Sequence, residues 1–300
     1  MSELSFWRHQ GAFLLKYQRF TGLLAVLSAL ALTQCTPETE VDVPRKCNLY
    51  ENLCEKTVPE VAFATTHNAM SNKADGWGGY NHFYGIPDQL QEGYRGFMLD
   101  IYEDEGVLKL CHGSCIAGAI DFETVMDTYH EFMTENPHEV IVFIFETHIE
   151  PERFADAFDS HPLGELAFEI NPWDEWPTLN TLIDTNQRLI MLSDTVENAP
   201  SYILDMWAHA VDVHYAAESQ ADFNCEFFRG EPENQLFIFN HFISDPLPNE
   251  TAAAEVNAYD VLMPRIEQCQ RKNGRFPNFV TVDFFSLGDT LQVVKELNGN

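Results

Sequence analysis

Two stretches of the chain bring an imidazole to the end of an apolar run. ATTHNAMS (64–71) delivers His67 and Asn68 out of VAFATT (61–66), and VLKLC (107–111) runs straight into Cys111-His112-Gly113. Two imidazoles with separate roles suit general base and general acid work near neutral pH. One removes a proton from a nucleophilic hydroxyl and the other protonates a leaving alkoxide. Further polar groups stand in or at the ends of other apolar runs: Asp100 in GFMLDIY (96–102), Glu146 in VIVFIFE (140–146), Ser193-Asp194 in RLIMLSD (188–194), Asn240-His241 in QLFIFNHF (235–242) and Asp283 in FVTVDFF (279–285). A carboxylate behind an imidazole fixes its tautomer and supports its positive charge. Hard oxygen donors such as Asn68, Asp100 and Glu146 suit Ca²⁺ or Mg²⁺, and a cation there would neutralise a phosphodiester in its transition state. Asn240 and His241 are read as lining the same pocket or as tying off the strand end.

These groups work together only if the strands carrying them end at one rim. Eight apolar, β-branched runs are found, the seven quoted above and AVDVHY (210–215). Several are near-continuous rather than alternating, which suits parallel strands buried on both faces. Helical patterns fall between many of them, at 121–136, 151–160 and 251–274, the last closing on basic residues and Gly274. Only EDEG (103–106) separates the second run from the third, too short for a helix and suited to a hairpin. The pattern predicts an α/β fold, a somewhat irregular (β/α)₈ TIM barrel, with a doubly wound open sheet as runner-up. In such a barrel the active site lies at the C-terminal ends of the strands, where the polar groups fall. The loop 72–93, rich in aromatic residues and glycine, reads as a lid or as an irregular connection packed by its own rings.

Composition narrows the function. With 47 Asp+Glu against 17 Lys+Arg, the formal charge of −30 argues against a nucleic-acid partner and repels anionic membrane surfaces. A basic start followed by the apolar run TGLLAVLSALALT (21–33) reads as a secretory signal. Cys35 follows directly, as in a bacterial lipobox, although Gln34 stands where that pattern wants a small residue. The chain therefore reads as an export segment at 1–35 with Cys35 as a lipidation site, a polar linker at 36–46, and one domain at 47–300. It is expected to be a cell-envelope lipoprotein, held to the membrane by that anchor, or a secreted protein. Setting Cys35 aside leaves six cysteines, at 47, 54, 111, 115, 225 and 269. They are expected to form three disulfides in an oxidising compartment, with 47/54 and 111/115 near neighbours and 225/269 left over. No second pair at ligand spacing accompanies the C-x₃-C at 111–115, which disfavours zinc.

THNAMS, GYRGFMLDIY (93–102), LCHG (110–113), NPHEVIVFIFE (136–146) and PNFVTVDFF (277–285) together resemble the phosphatidylinositol-specific phospholipase C X-domain family, and within it the secreted PLC-like phosphodiesterases. The resemblance covers about residues 58 to 290. It implies a TIM barrel in which the substrate's own 2-hydroxyl attacks phosphorus. His67 and His112 match the catalytic histidines, and Asp283 the carboxylate behind the first. Asn68, Asp100 and Glu146 match ligands of the calcium-dependent members, and Arg95 belongs to the second-strand pattern and is expected to meet substrate. Met98 stands where those members carry a further acid, and Tyr102 where metal-independent members carry an arginine, so a weak Ca²⁺ site completed by water is expected. The function expected is an exported phosphoric diester hydrolase acting on an inositol phospholipid or a related small molecule. A barrel that binds phosphate or sugar without turnover is the alternative. Glycerophosphodiester hydrolysis would need a Glu-x-Asp pair, and Met98-Leu99-Asp100 argues against it.

Overall fold

The computed structural model describes residues 44–300 except Ser114 and Asp245. The export segment 1–35 with Cys35, and the linker as far as residue 43, lie outside the described residues.

Ten strands form one sheet. In chain order they are β1 (Phe63–Thr66), β2 (Gly96–Asp104), β3 (Val107–Leu110), β4 (Ile120–Asp121), β5 (Ile141–Thr147), β6 (Leu189–Ser193), β7 (Ile203–Asp205), β8 (Ala210–Asp212), β9 (Leu236–Asn240) and β10 (Phe279–Val282). Eight run parallel in the order β7-β6-β5-β2-β1-β10-β9-β8, and the sheet curls into the expected barrel. β7 and β8, at the two ends of that order, are joined along the chain by a single turn of helix, Met206–His209. The helices α1 (Ile86–Glu92), α2 (Phe122–Glu135), α3 (Pro151–Asp159), α4 (Leu179–Asp184), α5 (Met206–His209), α6 (Glu250–Val256), α7 (Tyr259–Asn273) and α8 (Thr290–Leu297) complete the β/α alternation.

Side chains alternate across each strand, and this divides the core in two. Residues of one parity, among them Phe97, Leu99, Phe143, Phe145, Met191, Phe237, Phe239, Val280 and Val282, face the helices in one apolar cluster. The opposite parity, Phe63, Met98, Val142, Ile144, Ile190, Leu192, Leu204, Leu236, Ile238 and Phe279, fills the barrel interior. Leu53, Val58, Trp176 and Leu179 join the interior cluster. Following the interior parity towards the strand C-termini gives His67, Asp100, Glu146, Asp194, Met206, Asp212, Asn240 and Asp283. The interior therefore changes from hydrocarbon to polar groups within one residue pair.

Two expectations about elements are corrected. The run 107–111 is β3, paired antiparallel with β2 and β4 outside the parallel path; the eighth parallel strand is instead the three-residue β7. The helical stretch 251–274 is two helices, α6 and α7. They part at Asn257, whose buried side chain donates to the carbonyls of Asp283 (2.9 Å) and Leu287 (3.4 Å). Gly274 does cap α7 in the left-handed region, at φ 66°. The six described cysteines form Cys47–Cys54, Cys111–Cys115 and Cys225–Cys269.

Candidate active site

His67 follows β1 directly, with its N–H on the Val282 carbonyl (3.0 Å), so its backbone is fixed between β1 and β10. Its Nδ1 lies 3.0 Å from Asp283 Oδ1. Asn81 Nδ2 donates to the same oxygen at 2.8 Å. A carboxylate only accepts, so Nδ1 carries the proton and Nε2 is left with a free lone pair. Phe242 stacks on the imidazole, 3.7 Å between centroids at 10°. His82 supports the turn beneath: its Nε2–H donates to the His67 carbonyl (2.8 Å) and its Nδ1 accepts from Phe285 N–H (3.3 Å). Burial pushes its pKa down to about 4, so it stays neutral in this role.

The β2–β3 hairpin carries His112 to the same rim. Cys111 N–H bonds the Asp100 carbonyl (3.2 Å), and the Cys111–Cys115 disulfide closes the turn around His112. Gly78 N–H on Ala117 O (2.7 Å) ties this turn to the loop after β1. The rings of His67 and His112 are 6.5 Å apart, edge to face. Burial lowers the His112 pKa, and the neighbouring His67 adds to the effect against Glu146 and Asp283.

Three carboxylates form a row beside the histidines. Asp100 is the register partner of Glu146 across β2 and β5. Phe145 pairs with Ser193 across β5 and β6, and Asp194 N–H bonds Phe145 O at 3.2 Å, so Asp194 is level with Glu146. Asp100 is only 5% exposed. Burial raises its pKa well above the ordinary carboxylate range, and Glu146 and Asp194 push the same way. Glu146 Oε1 is bonded to His148 Nε2 at 2.8 Å, and the His148 ring stacks on Tyr102 at 4.1 Å. Asn68, at φ 50°, lines the same cavity, and its buried Nδ2 has no partner. The carboxylate of Asp100, without a protein partner, is of the kind a hard cation takes, whereas the unpartnered atom of Asn68 is a donor and calls for an acceptor. Among the described residues, no three His, Cys, Asp or Glu side chains already stand at metal-ligand spacing.

On the opposite wall the sequence marks only Asn240. Arg229, in the irregular β8–β9 connection, donates Nε (2.9 Å) and Nη2 (2.6 Å) to Asp212 Oδ2. Its guanidinium stacks over Trp207 (4.5 Å) and Tyr215 (4.6 Å). Asn240 lines the cavity and donates to Val213 O (2.8 Å) and Asp212 Oδ2 (3.3 Å). Asp212 and Asp194 were legible as strand-end acids of interior parity; no periodicity in 213–235 marks Arg229.

Two expected substrate contacts lie elsewhere. His241, of the opposite parity to Asn240, points out of the barrel. Its Nε2–H donates to Val256 O (2.8 Å), its Nδ1 accepts from Arg265 Nη1 (2.7 Å), and burial pushes its pKa down to about 3. Arg95 precedes β2 at the N-terminal end of the barrel, where Nε binds Glu139 Oε2 (2.6 Å) and Nη1 donates to Leu90 O and Tyr94 O. Both are structural.

Two histidines, an aspartate bonded to one of them and an acidic row thus stand together at the C-terminal rim of a parallel β/α barrel. The PI-PLC X 1 family model matches residues 53–298, and the chain belongs to that family. A "PI-PLC X domain-containing protein 1" of Arthroderma benhamiae is 26% identical over 281 residues, 84% of this chain and 89% of that one. A PI-PLC X domain-containing protein of Arabidopsis thaliana is 26% identical over 265 residues, 78% of this chain and 61% of its own length. Among solved structures, a phosphatidylinositol-specific phospholipase C of Staphylococcus aureus superposes with a TM-score of 0.55 at 13% identity, over 82% of this chain and 94% of that one. That likeness establishes the barrel fold.

Proposed function

We propose that the protein is an exported phosphoric diester hydrolase of phospholipase C type that cleaves an inositol phospholipid or a related polyol phosphodiester. The observation that carries this is the His67–Asp283 pair with the His112 ring 6.5 Å from that of His67. Asp283 holds the proton on His67 Nδ1, so Nε2 takes the proton of a hydroxyl adjacent to the phosphodiester. That oxygen bonds to phosphorus, the bond from phosphorus to the leaving alkoxide breaks with its electron pair on oxygen, and His112 supplies the proton. The products are a cyclic phosphodiester and a free alcohol. Asp283 supports the imidazolium as it forms. Arg229, with Trp207 and Tyr215, offers a charged and flat-sided wall to the headgroup. Ca²⁺, held by Asn68, Asp100 and Glu146, would supply charge neutralisation at the phosphoryl oxygens.

Export is supported by the three disulfides, by the apolar run at 21–33 and by a relative in Arthroderma benhamiae named "Uncharacterized secreted protein". Among the described residues no helix is long and apolar enough to cross a membrane. Membrane attachment is proposed through a lipid on Cys35, which directly follows the apolar run and Gln34.

The test is cleavage of phosphatidylinositol, glycosylated inositol lipids and phosphatidylcholine by the wild type and by His67→Ala. Turnover of an inositol lipid that the substitution abolishes is expected. Turnover that survives His67→Ala would sink the assignment. So would none on any of the three lipids from folded protein, which would favour the barrel that binds without turnover.

A further inference from the structure

The connection from β1 to α1 reaches both histidines. At its start Asn72 Nδ2 donates to Asp75 Oδ2 (2.8 Å) and Asp75 N–H to Asn72 Oδ1 (2.9 Å), which folds the loop on itself. Its middle packs closely against the turn after His112, where a methyl group on Gly118 would fall 2.3 Å from the Trp77 ring. Its end, Asn81 and His82, runs beside the His67–Asp283 pair. Both backbone N–H groups bond the Ser71 carbonyl (3.1 and 3.0 Å), and the Asn81 carbonyl accepts Phe284 N–H at 2.7 Å. Phe284 is in the left-handed region at φ 49°, so this bond fixes the bend directly after Asp283.

The Asp283 carboxylate is held through one oxygen. Among the described residues, Oδ1 has two side-chain donors, His67 Nδ1 (3.0 Å) and Asn81 Nδ2 (2.8 Å), and buried Oδ2 has none. A carboxylate turns easily about its Cβ–Cγ bond, because that torsion has broad wells. A single bond to an imidazole that can itself turn does not fix Oδ1, whereas a second donor from a rigid backbone does. Asn81 is that donor: it is fully buried, does not line the cavity and is anchored at its own N–H and carbonyl. With Oδ1 fixed 3.0 Å from Nδ1, the other tautomer of His67 would set two acceptors against each other.

We infer that Asn81 is a positioning residue of the His67–Asp283 pair: its amide fixes Asp283 Oδ1, which keeps the His67 proton on Nδ1 and leaves Nε2 free for the substrate hydroxyl. The use of Nε2 rests on the hydrolase reading; the hold on the tautomer does not.

The experiment is nitrogen NMR of the full chain carrying isotope-labelled histidine, at about pH 8.5, where an ordinary histidine is neutral. The His67 ring is identified by its loss in His67→Ala. Asn81→Leu removes the amide and fills its space, and Asn81→Ala removes it and leaves the space. Asp75→Ala, at an exposed position, loosens the loop and leaves Asn81 in place. In the wild type, Nδ1 of His67 is expected to give the signal of a protonated ring nitrogen and Nε2 that of an unprotonated one. In either Asn81 variant the two signals are expected to converge as both tautomers become populated, and in Asp75→Ala to stay as in the wild type. Unchanged His67 signals in the folded Asn81 variants overturn the inference. So does equal convergence in Asp75→Ala, which would mark a general loosening of the loop. On an inositol lipid, Asn81→Leu is expected to lower kcat by about ten-fold or more with KM unchanged; a raised KM at unchanged kcat would place Asn81 in binding and overturn the inference as well. Turnover that is absent from the wild type or indifferent to His67→Ala sinks the hydrolase reading, while the ring signals still decide whether Asn81 holds the pair.

Discussion

Asp283→Asn separates what the buried carboxylate does for catalysis from what it does for the fold. Its Oδ1 takes both the His67 Nδ1–H and the Asn81 amide, while Oδ2 is buried with no partner. An amide of the same shape can keep the first oxygen in place; it loses the charge and puts an NH2 group at the unpartnered second position. His67 is 18% exposed at its side chain and Asp283 1%, so the pair is little screened. Two unit charges about 4 Å apart at an effective dielectric of about 20 interact by about 4 kcal/mol. That energy acts when His67 becomes an imidazolium, and at about 1.4 kcal/mol per decade it amounts to roughly three powers of ten in rate. The expected result is kcat/KM on phosphatidylinositol vesicles lower by about 10³, within the 10²–10⁴ range of acid–base catalysis. Chemical denaturation should show stability within about 1–2 kcal/mol of the wild type, because a buried charge is lost along with its hydrogen-bond strength. A rate within three-fold of the wild type would refute the pairing as catalytic. A rate loss matched by collapse of the fold would show that Asp283 acts through structure.

Further outcomes follow from the same geometry. Because burial and His67 lower the His112 pKa from 6.5, its acid form is lost as pH rises through a value below 6.5; the alkaline limb of the pH–rate profile should fall there, and a profile flat to pH 8 would remove His112 as the acid. Gly96→Ala would bring a methyl group to 2.2 Å from Thr65 Oγ1 across β1–β2, and denaturant titration should show a loss of about 1–3 kcal/mol. Replacing Cys225 and Cys269 by serine opens a loop spanning 44 residues and should cost about 3–4 kcal/mol in the same measurement, with the active-site residues left in place.

The barrel was legible because its strands are buried on both faces and therefore read as continuous apolar runs. β7 escaped because three residues followed at once by a helical turn carry no period. β3 counts among eight barrel strands because its apolar pattern is sound, yet the short link EDEG already marks a hairpin, and its antiparallel pairing with β2 and β4 places it outside the parallel path. At the site, type and position along a strand located His67, His112, Asp100, Glu146 and Asp283. Parity would have excluded His241, since a strand cannot turn both Asn240 and His241 inward, and it would have added Asp194 and Asp212. Arg95 sits at the start of its strand, the wrong end of a barrel for chemistry. Arg229 was out of reach, since a loop residue becomes part of a site only through the chain's path, and nothing local records that path.

Phosphorus NMR of the reaction on phosphatidylinositol tests the central claim most directly, because it reports the bond broken and the role of His67 in one experiment. The account predicts a cyclic phosphodiester resonance that grows with the wild type and is absent with His67→Ala. A linear phosphomonoester formed with no cyclic species at any time, or the same cyclic product from His67→Ala at the wild-type rate, would contradict it.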